Sequence, residues 1–143
     1  MRYNEFTLKY FGAWEEIKIS ELLNSHVLLT DYPLFEIPFY HVEKDGQSEH
    51  RIARNADLIL YGYRETIGGG VRVQDRMSIL EKKERFHLPQ KDYDLYLSLR
   101  DRSDYRPTAG FGLGLQRYLH WLLKLPAIWD ATLFPRTHLI PRP

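Results

Sequence analysis

The residues best suited to chemistry fall in one run, Gly110-Phe111-Gly112-Leu113-Gly114-Leu115-Gln116-Arg117. Alternate glycines at Gly110, Gly112 and Gly114 strip one face of a strand, so a flat ligand can lie on bare backbone. The helix that follows opens with unpaired N–H groups and the positive end of its dipole, a place for an anion. Arg117 adds a full charge and a planar fork for phosphate oxygens or an aromatic ring. A glycine-rich strand packed tightly under a helix, with a solvated arginine, has the same spacing, and spacing alone weighs the two readings evenly.

A second constellation is Asp57 and Glu65, eight residues apart. A hairpin centred on Tyr61 sets them opposite each other, where like charges repel unless a divalent cation lies between them. Two carboxylates plus phosphate oxygens suit magnesium; a turn register that separates them gives two solvated acids instead. Third, Gly68-Gly69-Gly70 precedes Val71-Arg72. Each glycine weakens a strand by roughly 0.5 to 1 kcal/mol relative to alanine, a cost that makes sense where a substrate approaches the backbone. Arg72 beside that stretch can hold a carboxylate in a bidentate pair, or be an ordinary surface arginine. The histidines His26, His41, His50, His87, His120 and His138 show no metal-ligand spacing.

These residues need elements to position them. Trp14, Ile17 and Leu22 have helical spacing within Ala13 to Asn24. Val27 to Thr30 is β-rich. Phe39 to Val42 and His50 to Ala53 flank a turn at Asp45-Gly46, a hairpin signature. Ala56 to Tyr61 and Glu65 to Val73 form a second pair of strands, reversed near Gly62. Met77 to Arg85 reads as a helix, and Pro89 opens another through Arg100, with Tyr93, Tyr96, Leu97 and Arg100 on one side. The glycine-alternating strand runs into a helix from Leu115 to Leu125, whose apolar face is Leu115, Tyr118, Leu119, Leu122 and Leu123, ended by Pro126. Hairpins first and a strand-to-helix unit last predict an α+β fold with an antiparallel sheet flanked by helices.

Composition bounds the function. The chain's 143 residues allow one domain or half of a larger one, and its 43% hydrophobic content can bury a core. A net charge of +1 gives no general pull on nucleic acid or anionic membrane, so phosphate chemistry must rely on local charge. The absence of cysteine excludes disulfides, a thiolate zinc site and a cysteine nucleophile. No apolar run reaches the roughly 20 residues of a membrane span, and Met1 to Tyr10 lack a signal-peptide core, so a soluble, cytoplasmic protein is expected. Ten tyrosines among 14% aromatic residues exceed what a core alone requires and point to a stacking pocket or a partner surface.

Taken in order, Gly110 to Arg117 followed by Phe134-Pro135-Arg136-Thr137 resembles motif 3 and the C-terminal end of class II aminoacyl-tRNA synthetases, in the asparaginyl/aspartyl subgroup with its asparagine-synthetase-related paralogues. Thr30-Asp31-Tyr32-Pro33, Pro38-Phe39-Tyr40, Asp57-Leu58-Ile59 and Glu65 through Arg72 extend the likeness from about Leu28 to Arg136. The resemblance implies an antiparallel sheet that binds ATP and an amino acid on its face. By position Arg117 matches the motif 3 arginine that contacts the γ-phosphate and stacks on adenine, with Gly110, Gly112 and Gly114 as the floor of the ATP site. Asp57 and Glu65 match the acidic Mg2+ ligands, and Arg72, over Gly68, Gly69 and Gly70, matches the reader of the substrate side chain.

Two departures stand out. Gly70-Val71 replaces the usual Ser-Gln or Ser-Val pair, removing a hydroxyl near metal and substrate. Motif 1, motif 2 with its α-phosphate arginine, and an anticodon-binding barrel have no counterpart in residues 1–143. The chain therefore reads as a single partial catalytic domain, the motif 3 half. It is expected to activate aspartate or asparagine as an aminoacyl adenylate together with a complementing N-terminal half on another chain, or through self-association. The product passes to tRNA or to ammonia. The alternative is a non-catalytic paralogue that binds nucleotide, tRNA or a synthetase.

Overall fold

The computed structural model describes residues 11–44, 51–89 and 91–136. The Asp45-Gly46 turn, Glu49, His50, Thr137, His138 and the first ten residues lie outside the described residues. In chain order the elements are α1 (Ala13–Leu22), β1 (Val27–Thr30), β2 (Asn55–Ile59), β3 (Glu65–Val71), α2 (Arg76–Arg85), α3 (Asp94–Ser98), β4 (Ala109–Leu113) and α4 (Leu115–Leu123). Short 3-10 turns occupy Lys91–Tyr93, Leu99–Asp101 and Ile128–Ala131. The strands form one antiparallel sheet in the order β1-β2-β3-β4, the α+β arrangement expected from the sequence. None of the described helices is long and apolar enough to cross a membrane.

The chain divides into two compact units. The first comprises, within the described residues, 29–56 and 69–111; the second comprises 11–28, 57–68 and 112–136. Every strand contributes residues to both.

In the first unit, the arms predicted around Asp45-Gly46 do pair. Lys44 N–H donates to Ile52 O and Arg54 N–H to Val42 O, each at 2.9 Å. Leu34, Ile37 and Ala53 form one buried cluster, and Val73, Ile79 and Leu97 another that Phe39 and Tyr96 pack against. Asp75 starts α2 by accepting the Ser78 N–H at 2.7 Å, the usual N-cap bond. The single helix expected from Pro89 to Arg100 is instead a 3-10 turn, the short α3 and a second 3-10 turn. Local side chains explain the break: Ser98 Oγ donates to Leu95 O at 2.9 Å, and Arg100 Nη1 donates to Tyr96 O at 3.0 Å. Such bonds compete with a regular helical ladder.

In the second unit, Gly12 N–H donates to Glu15 at 2.9 Å at the start of α1, and Asn24, at φ 47°, turns the chain away after its end. Ile19, Val27, Ile59 and Leu60 are buried, whereas Trp14 and Leu22 are exposed, so only part of the predicted helical stripe is covered. Helix α4 ends at Leu123 because Lys124 adopts a left-handed conformation, two residues before Pro126. Its predicted apolar face lies open: Leu115, Leu122 and Leu123 are 54%, 49% and 60% exposed.

Candidate functional site

The predicted site residues form two groups, one inside each unit. In the second unit the β2–β3 turn is tied down from three directions. Gly62 N–H donates to Ser20 Oγ at 3.0 Å, Tyr61 N–H to His26 Nδ1 at 2.9 Å, and Trp121 Nε1 to Tyr61 O at 3.0 Å. At the start of β3, Glu65 N–H donates to the Glu16 carboxylate at 2.8 Å. These bonds fix where Glu65 begins. Its carboxylate and that of Asp57 meet over Gly68: a Cβ there would lie 2.5 Å from Glu65 Oε1 and 3.1 Å from Asp57 Oδ1. Only glycine leaves that space between the two acids.

Arg117, in the first turn of α4, reaches back to the same place. Its Nη1 donates to Glu65 O at 2.7 Å and lies 3.4 Å from the Glu65 carboxylate. The arginine stem folds over Gly114, where a Cβ would come within 3.3 Å of its Cδ. Gly114 caps the helix without a side-chain bond, while its N–H donates to Thr66 O at 2.8 Å and anchors β4 on β3. A Cβ at Gly112 would meet nothing within 4 Å, so the strand is bare there. No group of three His, Cys, Asp or Glu suited to a metal occurs among the described residues. The two carboxylates over Gly68 are hard oxygen donors of the kind Mg2+ takes when phosphates and water complete its shell.

In the first unit the Arg72 guanidinium lies over the Tyr40 ring, 4.4 Å from its centre, and the Arg72 backbone N–H donates to Thr108 O at 2.8 Å. Gly110 admits the guanidinium, since a Cβ there would approach Arg72 Nη2 to 3.0 Å. The other two glycines of the triplet do not form an open floor as the sequence led us to expect. A Cβ at Gly69 would fall 2.8 Å from Phe111 Cβ and 2.9 Å from Gly110 O, so Gly69 serves the close approach of β4. At Gly70 the space is filled by the His41 imidazole, whose Nδ1 would lie 2.3 Å from an added Cβ. The position where a serine was expected thus faces a ring nitrogen of this chain.

His41 is buried, and its Nδ1 has no hydrogen-bond partner among the described residues. Burial, and then the nearby charges of Arg72 and Lys82, lower its pKa to about 4, which keeps the ring neutral. Lys82 is itself buried and donates its ammonium to His41 O. Burial lowers its pKa to about 8, with Arg51 as the next cause. Sequence spacing gave His41 no role, because its neighbour Gly70 is 29 positions away. Of the tyrosines near Arg72, Tyr40 belongs to the Pro38-Phe39-Tyr40 run and Tyr96 shares its predicted helical side with Arg100, whereas Tyr105 was signalled only by the excess of tyrosine.

With that geometry in view, comparison with known proteins is informative. The family described as tRNA synthetases class II (D, K and N) matches residues 11–138. An asparagine–tRNA ligase of Desulforamulus reducens is 39% identical over 127 residues, covering 88% of this chain and 29% of the relative. That of Thermus thermophilus is 35% identical over 133 residues, covering 93% and 30%. The solved asparaginyl-tRNA synthetase from Pyrococcus horikoshii complexed with asparaginyl-adenylate superposes with a TM-score of 0.87 at 32% identity, over 99% of this chain and 35% of that one. An aspartyl-tRNA synthetase from Entamoeba histolytica shares the fold, with a TM-score of 0.84 at 24% identity over all of this chain and 32% of that one. The chain spans about 30% of the length of the curated relatives it matches.

Proposed function

The chain belongs to the class II tRNA synthetases (D, K and N), and from that membership we propose that it supplies the motif 3 half of a site activating aspartate or asparagine. The carrying observation is that Glu65 and Asp57 both reach Gly68 while Arg117 bonds Glu65, all on elements of one unit. In this reading Arg117 exchanges its contact with Glu65 for the γ-phosphate of ATP. Glu65 and Asp57 then hold Mg2+, which when bound neutralises phosphate charge. The bare strand at Gly112 gives the adenine a surface, and Arg72 reads the amino acid side chain.

Attack of a carboxylate on the α-phosphate needs charge neutralised on both sides of phosphorus. The described residues provide one side. A complementing N-terminal half, or a second copy, supplies the other and covers the apolar residues of α4 and of the segment ending in Leu133 and Phe134, which are 90% and 79% exposed. The adenylate then passes to tRNA or another acceptor in the cytoplasm. ATP-dependent pyrophosphate exchange tests this. The chain alone should run about 100- to 1,000-fold below the chain combined with an N-terminal half from an asparaginyl relative. Full exchange by a proven monomer, or none in the combined form, overturns it. The second outcome would instead support the non-catalytic reading.

A further inference from the structure

Two polar residues of α1 face the β2–β3 turn of the second unit. Glu16 and Ser20 are four residues apart, hence on one side of the helix, and each accepts a main-chain N–H of that turn: Glu16 that of Glu65 at 2.8 Å, Ser20 that of Gly62 at 3.0 Å. The two acceptors differ in kind. Ser20 is neutral, and its hydroxyl donates in turn to Ile17 O at 2.7 Å. Glu16 brings a full negative charge on a side chain that is only 15% exposed. Carboxylates are seldom buried that far without a paired cation, and Arg64, the cation beside this one, is 4.0 Å away. What the carboxylate holds at hydrogen-bond distance is the Glu65 N–H. Glu16 lies ahead of Leu28, where the motif resemblance begins, and no motif gives it a role.

The carbonyl of Glu65 is also taken by a side chain. It accepts from Arg117 Nη1 at 2.7 Å, so this one residue is clamped at its N–H by α1 and at its C=O by α4, from 49 and 52 positions away in sequence. The two clamps part company in use. In the reading given above Arg117 leaves for the γ-phosphate, and with it go its bond to Glu65 O and its contact with the Glu65 carboxylate. Glu65 must then present its carboxylate beside Asp57, and a carboxylate ligand is only as well placed as the groups that hold it. Glu16 is the clamp that stays. Its bond is to the main chain of Glu65, so a metal on the side chain leaves it in place, and a charged acceptor makes the stronger kind of bond to an N–H.

We propose that Glu16 is a positioning residue for Glu65: by holding the Glu65 N–H, it keeps the Glu65 carboxylate beside Asp57 over Gly68 once Arg117 has turned to the nucleotide. The inference rests on the reading of Asp57 and Glu65 as the metal-binding pair and deepens it by adding a residue of α1 that acts through the main chain.

The test is Mg2+ titration of the chain itself, followed at the Gly68 amide in NMR spectra, with hydrogen exchange of the Glu65 N–H as a second readout. The wild-type chain should give a saturable shift at Gly68 that Asp57→Asn removes. Glu16→Ala should raise the Mg2+ concentration for half-saturation about tenfold and speed exchange at Glu65 by about the same factor. Glu16→Gln keeps an acceptor oxygen at the same reach and should change both by less than about twofold. A role in stability alone would lower the melting midpoint and leave the half-saturation point where it is. If Glu16→Ala does not fold, Glu16→Asp, which keeps the charge and loses the reach, takes its place with the same expected losses. Unchanged half-saturation in Glu16→Ala or Glu16→Asp, or a loss in Glu16→Gln as large as theirs, overturns the inference and leaves the metal reading of Asp57 and Glu65 standing. No saturable shift in the wild-type chain sinks that reading, and this inference with it.

Discussion

The two arginines singled out in the sequence are held by opposite means. Arg117, in the second unit, is a third exposed and already satisfied by Glu65. Arg72, in the first, lies on an aromatic ring with one buried nitrogen unpartnered. A long, part-exposed pair such as Arg117 and Glu65 is worth about 1 kcal/mol or less, so phosphate and metal can separate it at small cost. Among the described residues the Arg72 guanidinium makes no such bond. On the proposed function, then, a ligand in the second unit would displace a bond already made, whereas in the first the guanidinium keeps a nitrogen without a partner among the described residues.

Several experiments sharpen or break that contrast, and the largest effect should come from acid. His41, neutral when folded with a pKa of about 4, becomes an ordinary imidazole near 6.5 when unfolded. The unfolded state therefore takes up the proton first, and stability falls as pH drops from about 6.5 toward 4, by an amount on the order of 3 kcal/mol. Urea unfolding at pH 7, 5 and 4 measures the slope. A His41→Gln variant should lose that part of it, and an unchanged slope removes His41 from the account.

Next in size is Arg117→Ala, which should cost about 1.5 to 3 kcal/mol of Mg-ATP affinity in the combined form while the chain's own melting point barely moves. Glu65→Ala should weaken the same affinity, and calorimetry showing both variants unchanged would dissolve the nucleotide assignment. Gly70→Ala should destabilise by about 2 kcal/mol, because a Cβ must displace the His41 ring or the Arg54 carbonyl, 2.7 Å away. The smallest effect belongs to Gly112→Ala. With open space around it, it should change stability by about 0.5 kcal/mol in the favourable direction. Equal responses at Gly70 and Gly112 in thermal melts would erase the distinction between a filled and a bare strand.

Those two glycines also mark where sequence reading stops. The strand at Val27 to Thr30, the reversal near Gly62 and helix α2 were legible because apolar period and turn chemistry act locally. For Asp57 and Glu65 the spacing left open whether the turn register sets the two acids facing or apart; both carboxylates lie close to Gly68 in the fold. What Gly69 and Gly70 accommodate was not legible, because Phe111 and His41 reach them only through the tertiary fold. Helix α3 was overextended for the opposite reason: the bonds made by Ser98 and Arg100 are local, but they oppose the periodicity that suggested a longer helix.

The tether from Trp121 to Tyr61 gives the chain an optical reporter. Of its three tryptophans, Trp14 and Trp129 are 65% and 53% exposed, whereas Trp121 is partly buried and bonded to the turn that leads into Glu65. Its ring also meets that of His26 edge-on at 5.5 Å. With Trp14 and Trp129 replaced by Phe, the emission of Trp121 would follow that turn without an added label, turning a structural hydrogen bond into a spectroscopic handle on the acidic end of β3.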